Sequence, residues 1–218
     1  MAGTAIDGVA DAGADGALRR KPRQRRGLER VEKILQCAAT LIAEGGSDAM
    51  RMSDLAARAG ISIGSLYQYF PDKSAIIRTL ADRYNAQGRA CIREGLAEVR
   101  DAGALRQAFG GLVDTYYALF LGEPVMRDIW SGTQADKSLR DIDLEDSRAN
   151  GEVLAAVLMR LRPDADREEV AAIAFLVMQL GEATMRLAIS VDRREGDLLV
   201  AAYKRMALDE LCRAAGCG

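Results

Sequence analysis

The chain has 218 residues, 49% hydrophobic and 28% charged, with a net charge of −2. That is the balance of an ordinary globular protein with room for a small head and a larger body. It has no histidine, and its four cysteines (Cys37, Cys91, Cys212, Cys217) show no metal-type pairing, which argues against a Cys/His zinc centre and removes the commonest general base at neutral pH.

Residues 1–18 are mostly Ala, Gly and Asp and read as disordered. Asp7, Asp11 and Asp15 precede any basic residue, the reverse of a signal peptide. The run Arg19-Arg-Lys-Pro-Arg-Gln-Arg-Arg26 places six positive charges in eight residues. Such a run is either a solvated tail or an arm that reaches phosphates or a minor groove. Charge is uneven along the chain: residues 1–90 carry 14 Lys/Arg against 10 Asp/Glu, residues 91–218 carry 16 against 22, so the two parts face different partners.

Val31, Ile34, Leu35, Ala38, Leu41 and Ile42 recur at helical spacing and predict a first helix over about 28–44. Cys37 falls on its apolar stripe, as a buried reduced thiol would. Gly45-Gly46 closes it. A second helix starts near Ser53 and stops at Gly60. Ser62 caps a short third helix ending near Phe70, where Pro71 breaks it. Asp72 caps a fourth, with the stripe Ile77, Leu80, Ala81 and Tyr84. Helices are then expected near 104–121, 124–132, 137–161, 167–191 and 197–215. No stretch shows strand-type alternation. The most apolar stretch, Val170 to Leu180, is interrupted by Gln179 and too short to span a bilayer. A cytoplasmic protein without a membrane span is expected.

The segment from Met52 to Lys73 carries chemistry. Leu66 and Phe70, four apart, can pack inward, which leaves Gly64, Ser65, Tyr67, Gln68 and Tyr69 on the outer side. Glycine in a helix costs about 1 kcal/mol against alanine, but it lets a backbone approach base edges. Tyrosine hydroxyls are good phosphate donors. Lys73 opposes the dipole at the start of its helix. A phosphate there would meet both its ammonium and the free N–H groups; otherwise it is a neutral surface lysine.

The stretch Gly60-Ile-Ser-Ile-Gly-Ser-Leu-Tyr-Gln-Tyr-Phe-Pro-Asp-Lys73 closely resembles the helix-turn-helix of the tetracycline-repressor (TetR/AcrR) family of bacterial transcription regulators. The likeness is tight over about residues 28–84 and architectural beyond. It implies that residues 63–69 form the recognition helix. Ser62, Tyr67, Tyr69 and Lys73 then match phosphate-contacting positions, and Ile63, Gly64, Ser65 and Gln68 match positions facing base edges. Gln68 suits adenine and Ile63 a thymine methyl. The family often has a polar residue where Ile63 stands, so inward packing of Ile63 is the alternative.

Val170 to Met178 is apolar around the whole helix and must be covered on several sides, within the subunit core or against a second subunit. In the family the last two long helices form the dimer bundle; Leu198, Leu199, Ala202, Met206 and Leu211 suit that role. The resemblance also implies a pocket for a small-molecule effector. Tyr116, Tyr117, Phe120, Met126, Trp130, Phe175 and Met178 are candidates for its walls, although most residues of these kinds are more often core. Trp130, the sole tryptophan, leads because a buried indole N–H needs a partner. Gln134, Gln179 and Glu182 are candidates for its polar contacts.

The expected molecule is all-α, with an N-terminal three-helix helix-turn-helix head on a larger helical body and about nine helices in total. Residues 1–26 form a tail with its basic arm, 27–74 the DNA-binding domain, and 75–218 the ligand-binding and dimerisation domain. The expected function is a ligand-responsive homodimeric repressor on a palindromic double-stranded operator, not an enzyme, with no cofactor and no metal. The alternative is a helical small-molecule-binding protein or enzyme whose helix-turn-helix is purely structural.

Overall fold

The computed structural model describes residues 25–132 and 137–216. The expected disordered tail, the basic arm up to residue 24, Gln134 and Cys217 lie outside the described residues. Among those described are nine helices and no strand: α1 Arg25–Ala49, α2 Met52–Ala59, α3 Ile63–Tyr69, α4 Lys73–Ala97, α5 Ala102–Gly122, α6 Pro124–Gly132, α7 Lys137–Leu161, α8 Arg167–Ser190 and α9 Arg193–Ala214.

The starts of these helices are chemically marked. Ser62, Asp72, Asp101, Asp166 and Asp192 each accept a backbone N–H of the first turn through the side chain, at 2.7–3.1 Å, and such caps stabilise a helix by about 1 kcal/mol each. Asp192 explains one difference from the expected boundaries. The sequence pattern sets residues 193–196 between two helices, but the Asp192 carboxylate also accepts Glu195 N–H at 3.1 Å and starts α9 at Arg193. Gly196 is buried within that first turn, where a Cβ would stand 2.5 Å from the Ala188 carbonyl oxygen. This glycine permits close approach of α9 to α8.

The α1 stripe packs as expected, with Val31, Ile34, Leu35, Ala38 and Ile42 buried. Gly46, at φ 81°, kinks the helix, and helical geometry resumes to Ala49. One core then runs from the head into the body, from Leu35, Leu55, Leu66 and Phe70 through Ile76 and Leu80 on α4 to Phe120, Ile129, Leu154 and Leu158. α4 belongs to both parts. Its N-terminus adjoins α1, and its middle packs on α5, α6 and α7.

α7, α8 and α9 pack side by side. By length and composition alone α8 could cross a membrane; the apolar stretch Val170 to Leu180 within it is shorter than a bilayer span, as expected. One side of it buries Val170, Ala174, Val177, Gly181, Met185 and Ala188 against its neighbours. Leu176, Leu180 and Leu187 remain 45–56% exposed, and on α9 Leu198 and Met206 remain 64% and 69% exposed.

Candidate nucleic-acid interface and ligand cavity

The turn between α2 and α3 is held by its own backbone. Gly60 adopts the left-handed conformation (φ 68°, ψ 36°), and its N–H with that of Ile61 satisfies the last carbonyls of α2. Ser62 then starts α3 by accepting Ser65 N–H at 3.1 Å. Leu66 and Phe70 are completely buried and fix the rotation of α3 on the head.

The same rotation turns Ile63, Gly64, Tyr67 and Gln68 outward, with Ile63 44% and Tyr67 42% exposed. Inward packing of Ile63 is thereby excluded. Ser62 is exposed as well, while Ser65 and Tyr69 are half-buried and Tyr69 packs against the core. A Cβ at position 64 would meet no atom within 4 Å, so packing within the chain does not require glycine there. No acidic residue occurs between Asp54 and Asp72, so the face that α3 presents contributes no repulsion toward a polyanion.

Lys73 occupies a different setting from the one its position suggested. Its ammonium donates to the carbonyls of Ser47 at 3.0 Å and Asp48 at 3.1 Å, so the local conflict with the α4 dipole is offset by carbonyls just beyond the α1 kink. Ser47 is held on its other side too, since its N–H donates to the Asp128 carboxylate on α6 at 3.0 Å.

The body contains a cavity of about 90 Å³, bounded by α4 to α9. Four of the expected ligand residues line it: Tyr116, Met126, Met178 and Glu182. Phe120 is core, edge-on to Tyr116 and Trp130. Tyr117 lies under the Arg193 guanidinium and Phe175 under that of Arg148. Trp130 borders a second, much smaller void near Asn85 and Asp143. Gln179 is half-buried and does not line the main cavity.

Sequence reasoning missed the polar wall from α7. Asp146, Ser147 and Asn150 line the cavity and continue the inward stripe that begins with Leu139 and Asp143 and ends in Leu154. Asp146 accepts from Arg89 at 2.7 Å and from Asn150 at 2.8 Å. Burial nevertheless raises it to about 6, against the lowering effect of Arg89. Glu182 accepts from the Tyr116 hydroxyl. Burial above all, then the charge of Asp143, pushes Glu182 up to about 8. Asp143 pairs with Arg186 at 3.1 Å, and burial raises it as well.

Comparisons with known proteins agree with this architecture. Residues 34–80 match the family of bacterial regulatory proteins, tetR family, and residues 103–215 match the tetracyclin repressor-like C-terminal domain. Over 66 residues the chain is 36% identical to the HTH-type transcriptional repressor KstR of Rhodococcus jostii, covering 28% of this chain and 31% of that protein. The chain spans about a third of the length of the curated relatives it matches. A TetR-family transcriptional regulator from Streptomyces coelicolor is 25% identical, with a TM-score of 0.64 over 85% of this chain and 99% of that one. The regulator FadR from Bacillus subtilis, solved in complex with stearoyl-CoA, shares the fold at 20% identity, with a TM-score of 0.57 over 83% of this chain and 96% of that one.

Proposed function

The chain belongs to the TetR family of bacterial regulatory proteins, and we propose that it is a cytoplasmic, ligand-responsive, homodimeric repressor of a palindromic operator. The observation that carries the DNA-binding part is the outward face of α3. It sets an uncrowded glycine beside two exposed large side chains and an exposed glutamine, and Leu66 and Phe70 lock its rotation. Ile63, Gly64 and Gln68 would face base edges, with Ser65 beside them. Ser62 and Tyr67 would hold phosphates, flanked by Tyr69 and Lys73 at the edge of the contact.

Pairing through α8 and α9 is supported by the exposed stripe of Leu176, Leu180, Leu187, Leu198 and Met206. A contiguous apolar surface of this kind is what an isologous interface covers. Two-fold pairing presents two α3 helices to half-sites about 34–36 Å apart.

Ligand response is supported by the path of α4. Its first residue, Lys73, holds the end of α1, and Tyr84, Asn85, Gly88, Cys91 and Ile92 border the cavity. Lys73 and Gly88 are roughly 22 Å apart along a continuous helix at the usual rise. A ligand that binds better to one tilt of α4 shifts the population of DNA-competent dimers by that difference in affinity.

Selection of bound fragments from the source genome, followed by fluorescence anisotropy on the enriched duplex, tests the proposal. The expected result is a palindrome bound by two protomers with an affinity that falls steeply with salt. Absence of any enriched duplex would refute it.

A further inference from the structure

The cavity wall has an unusual donor–acceptor balance. Its lining includes two acids, Asp146 and Glu182, and no lysine or arginine. Among the described residues, Glu182 Oε2, Asn150 Oδ1 and Ser147 Oγ are buried without a hydrogen-bond partner. Ser147 is 1% and Asn150 6% exposed. Leaving a buried polar atom unpaired is costly, so three around one cavity, Ser147 and Asn150 on α7 and Glu182 on α8, call for an explanation.

The nearby cations do not supply it. Arg89 is engaged by Asp146 at 2.7 Å and Arg186 by Asp143 at 3.1 Å, and neither lines the cavity. Arg186 forms a long ion pair with Glu182 Oε2 at 3.9 Å, which is beyond hydrogen-bond reach and leaves that oxygen without a donor. A carboxylate or phosphate placed here would meet no lysine or arginine and, among the three unpaired groups, only the Ser147 hydroxyl and the protonated Glu182 carboxyl as donors. A group rich in N–H donors would meet partners.

We propose that this cavity binds a small organic ammonium ion, an amine bearing N–H groups on an apolar body, with the nitrogen held by Glu182, Asn150 and Ser147. The proposal rests on the reading of the body as a ligand-binding domain and gives that site its chemical class. Phe109, Val113, Met126, Met178 and Met185 supply the surface for the apolar body. The volume of about 90 Å³ is below the roughly 150 Å³ that accepts benzene in an engineered cavity. A benzene-sized body therefore enters only as the flexible side chains of Met126, Met178 and Met185 move aside.

Binding carries a proton signature. Glu182 faces Tyr116 from α5, Asp143 and Asp146 from α7, Tyr203 from α9 and Arg186 on its own helix, while Arg89 reaches Asp146 from α4. Held up to about 8 in this setting, its carboxyl is protonated at neutral pH in the empty site. An arriving ammonium ion favours the carboxylate, and the carboxyl O–H proton leaves to solvent. Affinity then rises by up to about tenfold per pH unit toward pH 8 and levels off there.

Calorimetry on the full chain with benzylamine, benzyl alcohol and benzoate tests this, together with operator binding in the presence of each. Benzylamine is expected to bind at least about tenfold more tightly than benzyl alcohol, with release of one proton counted from buffers of different ionisation enthalpy, and benzoate is expected not to bind. Glu182→Gln should abolish both the preference and the proton release, and Ser147→Ala should weaken benzylamine alone. Equal or better binding of the alcohol or benzoate, undiminished amine binding by Glu182→Gln, or no binding at about 10 mM would each overturn the proposal. If the alcohol or benzoate binds and alters operator affinity, the ligand-responsive reading stands and only the amine class falls. If benzylamine binds with its proton signature and operator affinity is unchanged, the amine site stands and the ligand-responsive reading falls.

Discussion

Asp128 on α6 accepts the backbone N–H of Ser47 at 3.0 Å, although the two residues are 81 positions apart in sequence. Lys73 takes the carbonyl of the same Ser47 at 3.0 Å. One residue just beyond the α1 kink is thus gripped through its N–H by the body and through its carbonyl by the start of α4. Met126, two residues before Asp128, lines the cavity, so the cavity wall and the grip on the head share a short helix.

Replacing Asp128 with alanine should free the Ser47 N–H and cost about 1.5–3 kcal/mol, the usual range for a hydrogen bond to a charged group. Hydrogen exchange across residues 45–52 should accelerate with α8 and α9 unchanged. Uniform acceleration throughout the chain would instead indicate general loss of stability.

Gly64→Ala should separate stability from binding. With nothing within 4 Å of the added methyl, alanine is expected to stabilise the head by up to about 1 kcal/mol. Operator affinity should drop at the same time, because the methyl stands between the helix backbone and the base edges. Unchanged affinity in an anisotropy titration would remove position 64 from the interface.

Tyr67→Phe and Lys73→Ala should behave differently although both weaken operator binding. The Tyr67 side chain is 42% exposed, and loss of its hydroxyl should leave the melting temperature unchanged. Lys73→Ala should also lower the melting temperature, because the Ser47 and Asp48 carbonyls lose their donor. If Lys73 contacts phosphate in addition, the slope of log affinity against log salt should decrease by about one.

Glu182 should make the ligand-free protein less stable as pH rises. Its folded value, about 8, lies above the ordinary 4.5, so the native state holds an extra proton between those values. Its stabilising contribution is complete below about pH 4.5 and is lost as pH rises through about 8, at no more than about 1.4 kcal/mol per pH unit. Glu182→Gln does not titrate. Its stability advantage in denaturant melts should therefore grow across that window and stay flat above it.

Leu187→Glu tests the pairing surface. Leu187 is 50% exposed on α8, so the change should leave the fold and melting temperature of a single subunit intact. Under the proposed pairing it should convert dimer to monomer in sedimentation measurements and weaken operator binding by more than about tenfold.

Much of this architecture was legible because helix chemistry is local. Asp72 and Gly60 announced their boundaries through cap and turn preferences, and the spacing of Val31, Ile34, Leu35 and Ala38 announced the buried face of α1. The outward side of α3 followed from the four-residue spacing of Leu66 and Phe70. The Lys73 contact was not legible, because its carbonyl partners come from a different helix across the α1 kink. The cavity was legible only in part. Aromatic residues of α5 and α6 suit core more often than pocket, and packing assigned Phe120 to the core, Tyr116 to the cavity and Trp130, the foremost candidate, to the smaller void. A usable signal lay in α7, where Asp143, Asp146, Ser147 and Asn150 carry polar groups along a stripe that is apolar at both ends. Polar residues in register with an apolar stripe point inward, so the periodicity of α7 alone marks a polar wall.

The uncovered leucines of α8 have a meaning beyond geometry. Under the proposed pairing, the amount of competent regulator grows with the square of the number of chains while chains are scarce, and in proportion to it once they are plentiful. A cell holding few copies would leave the operator open, and a modest rise in synthesis would close it abruptly. Through that proposed pairing, the stripe from Leu176 to Leu187 would give the protein a threshold in its own abundance, separate from any signal that reaches the cavity.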